Sequence, residues 1–193
     1  TVLLLFDRRP RRALVGALMA GALVGLTVDF RITNALLASG YLVLFFINWV
    51  VRRAALPFLQ GVAFVLGLVL LTLPTLIANA INAGSPFKTT YPAQDTTLPD
   101  LTLPAARYYF SDIQGLFGLI ALAWALWLVV TAPTATSRRI GTVAALGIAI
   151  NGIYFLSHSI VTPYYMIPMI MLAFATLVGE MVVSERNKPL QKR

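Results

Sequence analysis

Cysteine is absent from the 193-residue chain, and histidine occurs once, as His158. Neither a disulfide framework nor a Cys/His zinc site can be built from it. Charge is scarce as well: 11% of residues are charged and 59% are hydrophobic, where an ordinary soluble domain is about 25% charged and roughly 45–50% apolar. A water-soluble fold of this length has too little interior to hide so much apolar surface. In lipid, each spanning segment must satisfy its own backbone hydrogen bonds, which a helix does alone and an open sheet cannot. The expectation is therefore an all-α fold, a polytopic integral membrane helical bundle. No signal peptide is visible, because the apolar stretch Thr1–Phe6 is short and the charges follow it rather than precede it. Residues 1–6 read as the end of an earlier helix.

A hydrocarbon core about 30 Å thick takes roughly 20 apolar residues per helical crossing. Six runs meet this requirement: Ala13–Val28, Ile32–Val51, Ala54–Ile81, Ile113–Thr131, Ile140–Leu156 and Tyr164–Val183. About six complete transmembrane helices in a single transmembrane domain (1–193) are expected. Gly16, Gly21 and Gly25 in the first run would let a neighbouring helix approach closely, and Pro74 is placed to kink the third. Asn48 and Asn151 are polar groups inside apolar runs and are expected to hydrogen-bond between helices.

The net charge of +8 is distributed as orientation in a membrane demands, not as a nucleic-acid surface. Arg8, Arg9, Arg11 and Arg12 precede the first run, Arg52 and Arg53 follow the second, and Arg138 and Arg139 follow the fourth. Arg186, Lys188, Lys192 and Arg193 form a basic tail over 184–193. Twelve of the fifteen basic residues thus fall on one side, which the excess of Lys and Arg in cytoplasmic loops makes the cytoplasmic side, C-terminus included. The other side holds Arg31, Lys88 and Arg107 against Asp29, Asp95, Asp100 and Asp112. A bacterial inner membrane is the expected location, with membrane lipids as partners and no nucleic acid.

The connection 82–112 is far longer than the others, and long loops are uncommon unless functional or disordered. Its prolines, leucines and aromatic residues favour the membrane interface, so Leu101–Asp112 is expected to lie along the outer leaflet, partly helical. Several residues on this side are suited to chemistry. Asp29 and Arg31 flank Phe30, either as a topological turn with a weak ion pair or as an acid and a cation facing an outer cavity. Phe87 and Tyr91 offer rings for interfacial anchoring or for stacking on a sugar, and Lys88 and Arg107 offer cations. His158, in the polar connection Leu156-Ser-His-Ser159, reads first as a solvated residue and second as a hydrogen-bond donor. Tyr164 and Tyr165 read as interfacial residues or as a sugar-stacking pair.

The stretch from Asn79 to Tyr91 resembles the outer-loop signature N-x-x-x-x-G-x-P-F-x-x-x-Y of bacterial GT-C glycosyltransferases, multi-spanning enzymes related to protein mannosyltransferases and aminoarabinose transferases. The run from Arg11 through Gly25, Leu26 and Thr27 resembles their glycine-rich helix, with Val28-Asp29-Phe30-Arg31 where a Thr-Arg-Pro or Thr-Lys sequence is usual. Pro163-Tyr164-Tyr165-Met166-Ile167-Pro168 is similar to their Arg-Tyr-x-x-Pro helix start, with Tyr164 in place of Arg. The resemblance implies a hexosyl or pentosyl transferase that takes a sugar from a polyprenyl-phosphate carrier at the outer membrane face, without a cofactor or metal. It further implies that this chain is the C-terminal membrane portion and that the catalytic Asp lies upstream, in a missing N-terminal half. The substrate-binding residues would then be Arg107, Lys88, Arg31, Asp29, Tyr91, His158 and Tyr165, with the cations on the carrier phosphate, where charge accumulates during transfer. Two other classes remain: a non-catalytic structural or assembly subunit working with other membrane subunits, and a transporter or channel, which would need polar residues and broken helices near the midplane.

Overall fold

A computed structural model describes residues 5, 7, 9–30, 32–86, 100, 103, 105–111, 113–158, 161–162 and 167–187. Among these residues every regular element is a helix. Helix α1 (Pro10–Phe30) leads through a 3-10 segment (Ile32–Leu37) into α2 (Ala38–Arg52); α3 (Ala55–Ala83), the short α4 (Ala106–Ser111), α5 (Gln114–Thr131), α6 (Ala135–Leu156) and α7 (Ile167–Asn187) follow. Five helical segments are long and apolar enough to cross a membrane: α1, the 3-10 segment with α2, α3, α5 and α6. Helix α7 carries a shorter apolar stretch, Ile170–Val182. Large apolar side chains such as Phe46, Leu66, Leu70, Ile77, Phe117, Ile120 and Val130 point outward, as they do when the surrounding solvent is lipid.

The ends of the helices follow local chemistry. Pro10 stands in the first turn of α1, where its fixed φ suits the helix and its missing N–H is not needed. The Thr134 hydroxyl accepts the Ser137 N–H at 3.0 Å and so caps α6. Gly84 closes α3 with φ of 76°, a conformation that glycine adopts without a Cβ clash. Between α1 and α2, Asn34 donates to the Thr27 carbonyl at 2.8 Å and Ser39 to the Leu36 carbonyl at 2.6 Å. These side-chain bonds favour tight 3-10 winding over Ile32–Leu37, at the start of the run Ile32–Val51 expected as one helical span.

The bundle is held by close backbone approach. A Cβ on Gly21 would collide with the Phe64 carbonyl, one on Gly25 with that of Leu68, and one on Gly67 with that of Leu18. The Gly21–Phe64, Gly25–Leu68 and Asp29–Thr75 contacts rise together in number, so α1 and α3 run parallel in tight contact. Gly21 and Gly25 thus have the role the sequence predicts, and Gly16 is buried on the same helix. Gly40 of α2 meets the Val143 carbonyl of α6 in the same manner. Gly141 packs on Ala125 and Leu128 of α5, and Gly147 on Leu172 of α7, which makes α6 the central helix. Pro74 sits inside α3, which continues past it from Ala55 to Ala83; at 1.5 Å per residue this helix is roughly 44 Å long, more than a hydrocarbon core requires.

The two polar residues inside the spans differ in what they bind. Asn151, fully buried, donates to the Gly147 carbonyl of its own helix at 2.8 Å and to the Leu36 carbonyl of the 3-10 segment at 3.3 Å, an interhelical bond as expected. Asn48 donates to Leu44 within α2 at 2.9 Å instead, satisfying its amide locally.

Helices α1, α3 and α6 start at the end where α2 finishes, so the bundle has two distinct ends. At one end Asp7, Arg12, Arg52 and Arg139 converge. We term it the basic end. The other, the far end, carries the 3-10 segment, Gly84, α4 and the C-terminus of α6.

Candidate functional site

The far end contains a folded cap. Its backbone ties are short and point in one direction: the Asp100 N–H donates to the Ser157 carbonyl at 2.8 Å, and the Ala105 N–H to the Leu156 carbonyl at 3.1 Å. The last carbonyls of α6, which lack intrahelical partners, are thereby satisfied by the incoming chain. A turn supports these ties. Leu103, with φ of 53°, donates to the Asp100 carbonyl at 3.0 Å, and Ala106 donates to the Leu103 carbonyl at 2.9 Å, which starts α4.

Helix α4 then seats Tyr109, which is fully buried. Its hydroxyl donates to the Thr162 carbonyl at 3.1 Å and accepts the Thr162 N–H at 3.3 Å. One phenol thus pairs both backbone groups of a residue in the connection after α6, as a buried Tyr hydroxyl requires. Ala105 and Tyr109 pack with Ala125, Ile148 and Phe155 in one apolar cluster. Tyr108 meets Tyr109 edge-on at 5.1 Å, and Arg107, between that pair and the start of the helix, is exposed. The interfacial segment expected over Leu101–Asp112 is helical over Ala106–Ser111 and is anchored by Tyr109.

His158 departs from its first reading. It is 5% exposed rather than solvated, and its ring lies 5.8 Å from that of Tyr154. The reason is the cap: Asp100 and Ala105 are bonded to the end of α6 at Ser157 and Leu156, directly before His158. Ser157, also buried, donates its hydroxyl to the Tyr154 carbonyl at 2.9 Å.

Asp29 is exposed and accepts a hydrogen bond from the Thr75 hydroxyl at 2.6 Å. It joins α1 to α3 beyond the contact of Gly25 with Leu68, whereas Arg107 and His158 belong to the cap on α6. Of the residues expected to bind substrate, the cap therefore brings Arg107 and His158 to one region and leaves Asp29 on a different helix pair. Lys88, Arg31, Tyr91 and Tyr165 lie outside the described residues. Tyr109 and Thr162 were missed by sequence reasoning. Their contact spans 53 positions, and only the prolines and aromatic residues of the 82–112 connection hinted that it folds back.

The basic end is built differently. Asp7 accepts the Arg9 N–H at 2.8 Å and faces Arg12 at 3.6 Å; the Arg9 backbone bond first, and the Arg12 charge after it, hold its carboxyl below the ordinary value. Arg52 and Arg139 line a cavity of about 150 Å³ with Asn48, Gln60 and Asp7. Among the described residues there is no group of His, Asp and Glu side chains able to hold a metal ion. No family model, curated protein or solved structure matches the chain.

Proposed function

We propose that this integral membrane protein is the C-terminal membrane portion of a GT-C-type glycosyltransferase, with the far end outside and the basic end in the cytoplasm of a bacterial inner membrane. The observation that carries the proposal is the cap. Asp100 and Ala105, late in a long connection, are tied to the end of α6 and lead into a helix that carries an exposed Arg107. An exposed cation on a helix anchored to the far end suits the phosphate of a polyprenyl-phosphate-linked sugar. Guanidinium grips phosphate oxygens as a planar fork. The charge alternation supports the orientation. The uninterrupted helices, α3 with its Pro74 included, favour this reading over a transporter, whose substrate site is typically formed by broken helices at the midplane.

Sugar transfer by the whole protein, measured with Arg107→Ala and Arg107→Lys, tests the proposal. A contact that strengthens as the phosphate departs is worth about 2–4 kcal/mol, so Arg107→Ala should lower turnover roughly 30- to 1000-fold, with partial recovery in Arg107→Lys. Near-normal turnover of both folded variants would make Arg107 an interfacial anchor. Absence of any transfer by the whole, folded protein would favour the structural or assembly subunit.

A further inference from the structure

An apolar groove of about 350 Å³ opens between α5 and α7, lined by Phe117, Trp124, Ile170 and Phe174 with Gly118 and Ala121 at its base. Both helices begin at the far end, α5 just after α4 and α7 after the connection that follows α6. Phe117 and Ile170 stand in their first turns, and Trp124 is seven residues beyond Phe117, or roughly 10 Å deeper along the helix. The groove thus runs from the far end toward the middle of the bundle.

Its mouth adjoins the cap. Arg107 and Phe110, three residues apart on α4, share one face of that helix and are both exposed. Phe110 lies against α5: a Cβ on Gly115 would come within 2.6 Å of its ring. Gly115 and Gly118, again three apart, share a face of α5 and are both buried. The face of α4 that carries Arg107 therefore meets the face of α5 that forms the base of the groove. Among the described residues Arg107 forms no ion pair. A cation at the mouth with an apolar trough leading inward matches a phosphate carried on a long hydrocarbon chain.

We propose that the groove between α5 and α7 holds the start of the carrier's polyprenyl chain, an inference that rests on the assignment of Arg107 to the carrier phosphate. An ordinary anionic phospholipid is a poorer match. Once the sugar has left, the carrier is a phosphate monoester with about −1.5 to −2 charges and three oxygens for the guanidinium, whereas a phospholipid phosphate is a diester and brings two chains to one groove.

The whole protein in detergent, titrated separately with undecaprenyl phosphate, undecaprenol and dioleoylphosphatidylglycerol and read by native mass spectrometry, tests this. The expected result is one undecaprenyl phosphate per protein, preferred over either of the others by about tenfold or more. Phe174→Ala, at an exposed position, removes one wall of the groove, and Ala121→Leu fills its base. Each should weaken retention of undecaprenyl phosphate about fivefold or more. Phe58→Ala, the same loss in a separate groove between α2 and α3, should leave it within about twofold. Arg107→Ala should remove the preference over undecaprenol. Full retention in both groove variants, with Arg107→Ala still weakening it, overturns the groove and leaves the role of Arg107 standing. Retention unchanged by Arg107→Ala overturns that role and the proposal with it. Equal retention of phosphatidylglycerol, with equal loss in Phe174→Ala, would make this an ordinary lipid-facing seam and overturn the proposal too.

Discussion

The two ends of the bundle are held by different physics. At the far end, polar groups are closed by backbone bonds: α6 gives its last carbonyls to Asp100 and Ala105, and buried Tyr109 pairs both backbone groups of Thr162. At the basic end, charges stand at or near the surface, and Asp7 and Arg12 form a contact at 3.6 Å between partly exposed side chains. Exposed ion pairs contribute little to stability, with a median of about 0–1 kcal/mol. A buried hydrogen bond loses more when broken, because the partner is left without water. The far end is thus held by hydrogen bonds, whereas the basic end is marked by its charges. Between them lies the glycine-mediated contact of α1 with α3, on which both ends depend.

The comparison breaks most completely at that middle contact. Gly21→Leu should cost about 1–3 kcal/mol or more, because the added side chain meets the Phe64 backbone, which cannot rotate away. The expected readout is loss of folded protein in thermal unfolding, with both ends disrupted together. Next is Tyr109→Phe, which keeps the ring and removes two bonds to Thr162. It should cost about 1–3 kcal/mol and open the cap, seen as faster outside proteolysis after α4, while the basic end is unchanged. The smallest effect is expected for Asp7→Asn. Because the Asp7 carboxyl is held below its ordinary value, its contribution is present above the unfolded pKa and is lost as pH falls through the folded one. The unfolding midpoints of wild type and Asp7→Asn should therefore differ only slightly near neutral pH and converge in acid.

How much of this was legible in the sequence depended on the range of the interaction. Helix positions followed from apolar runs bounded by arginines, since a charge and a hydrocarbon core exclude one another locally. Gly21 and Gly25 announced a close approach by their size, but nothing local named Phe64 and Leu68 of α3 as the backbone they meet. The interhelical bond of Asn151 was expected in kind, though its acceptor, Leu36, is 115 residues away. The single histidine was misread as solvated because its burial depends on a segment some fifty residues earlier folding over it. At the basic end, the positions of Arg52 and Arg139 were plain, and their convergence on one cavity was not. Charge counting along a chain assigns sides, whereas it takes packing to make two of those charges face each other.

The account rests most directly on the two ends facing opposite sides of one membrane. Because the chain has no cysteine of its own, Ser111→Cys at the far end and Arg138→Cys at the basic end, both exposed positions, can be labelled singly with a membrane-impermeant maleimide. Labelling of position 111 in intact cells, with position 138 reached only after permeabilisation, is the predicted result; labelling of position 138 in intact cells, with or without position 111, would contradict it.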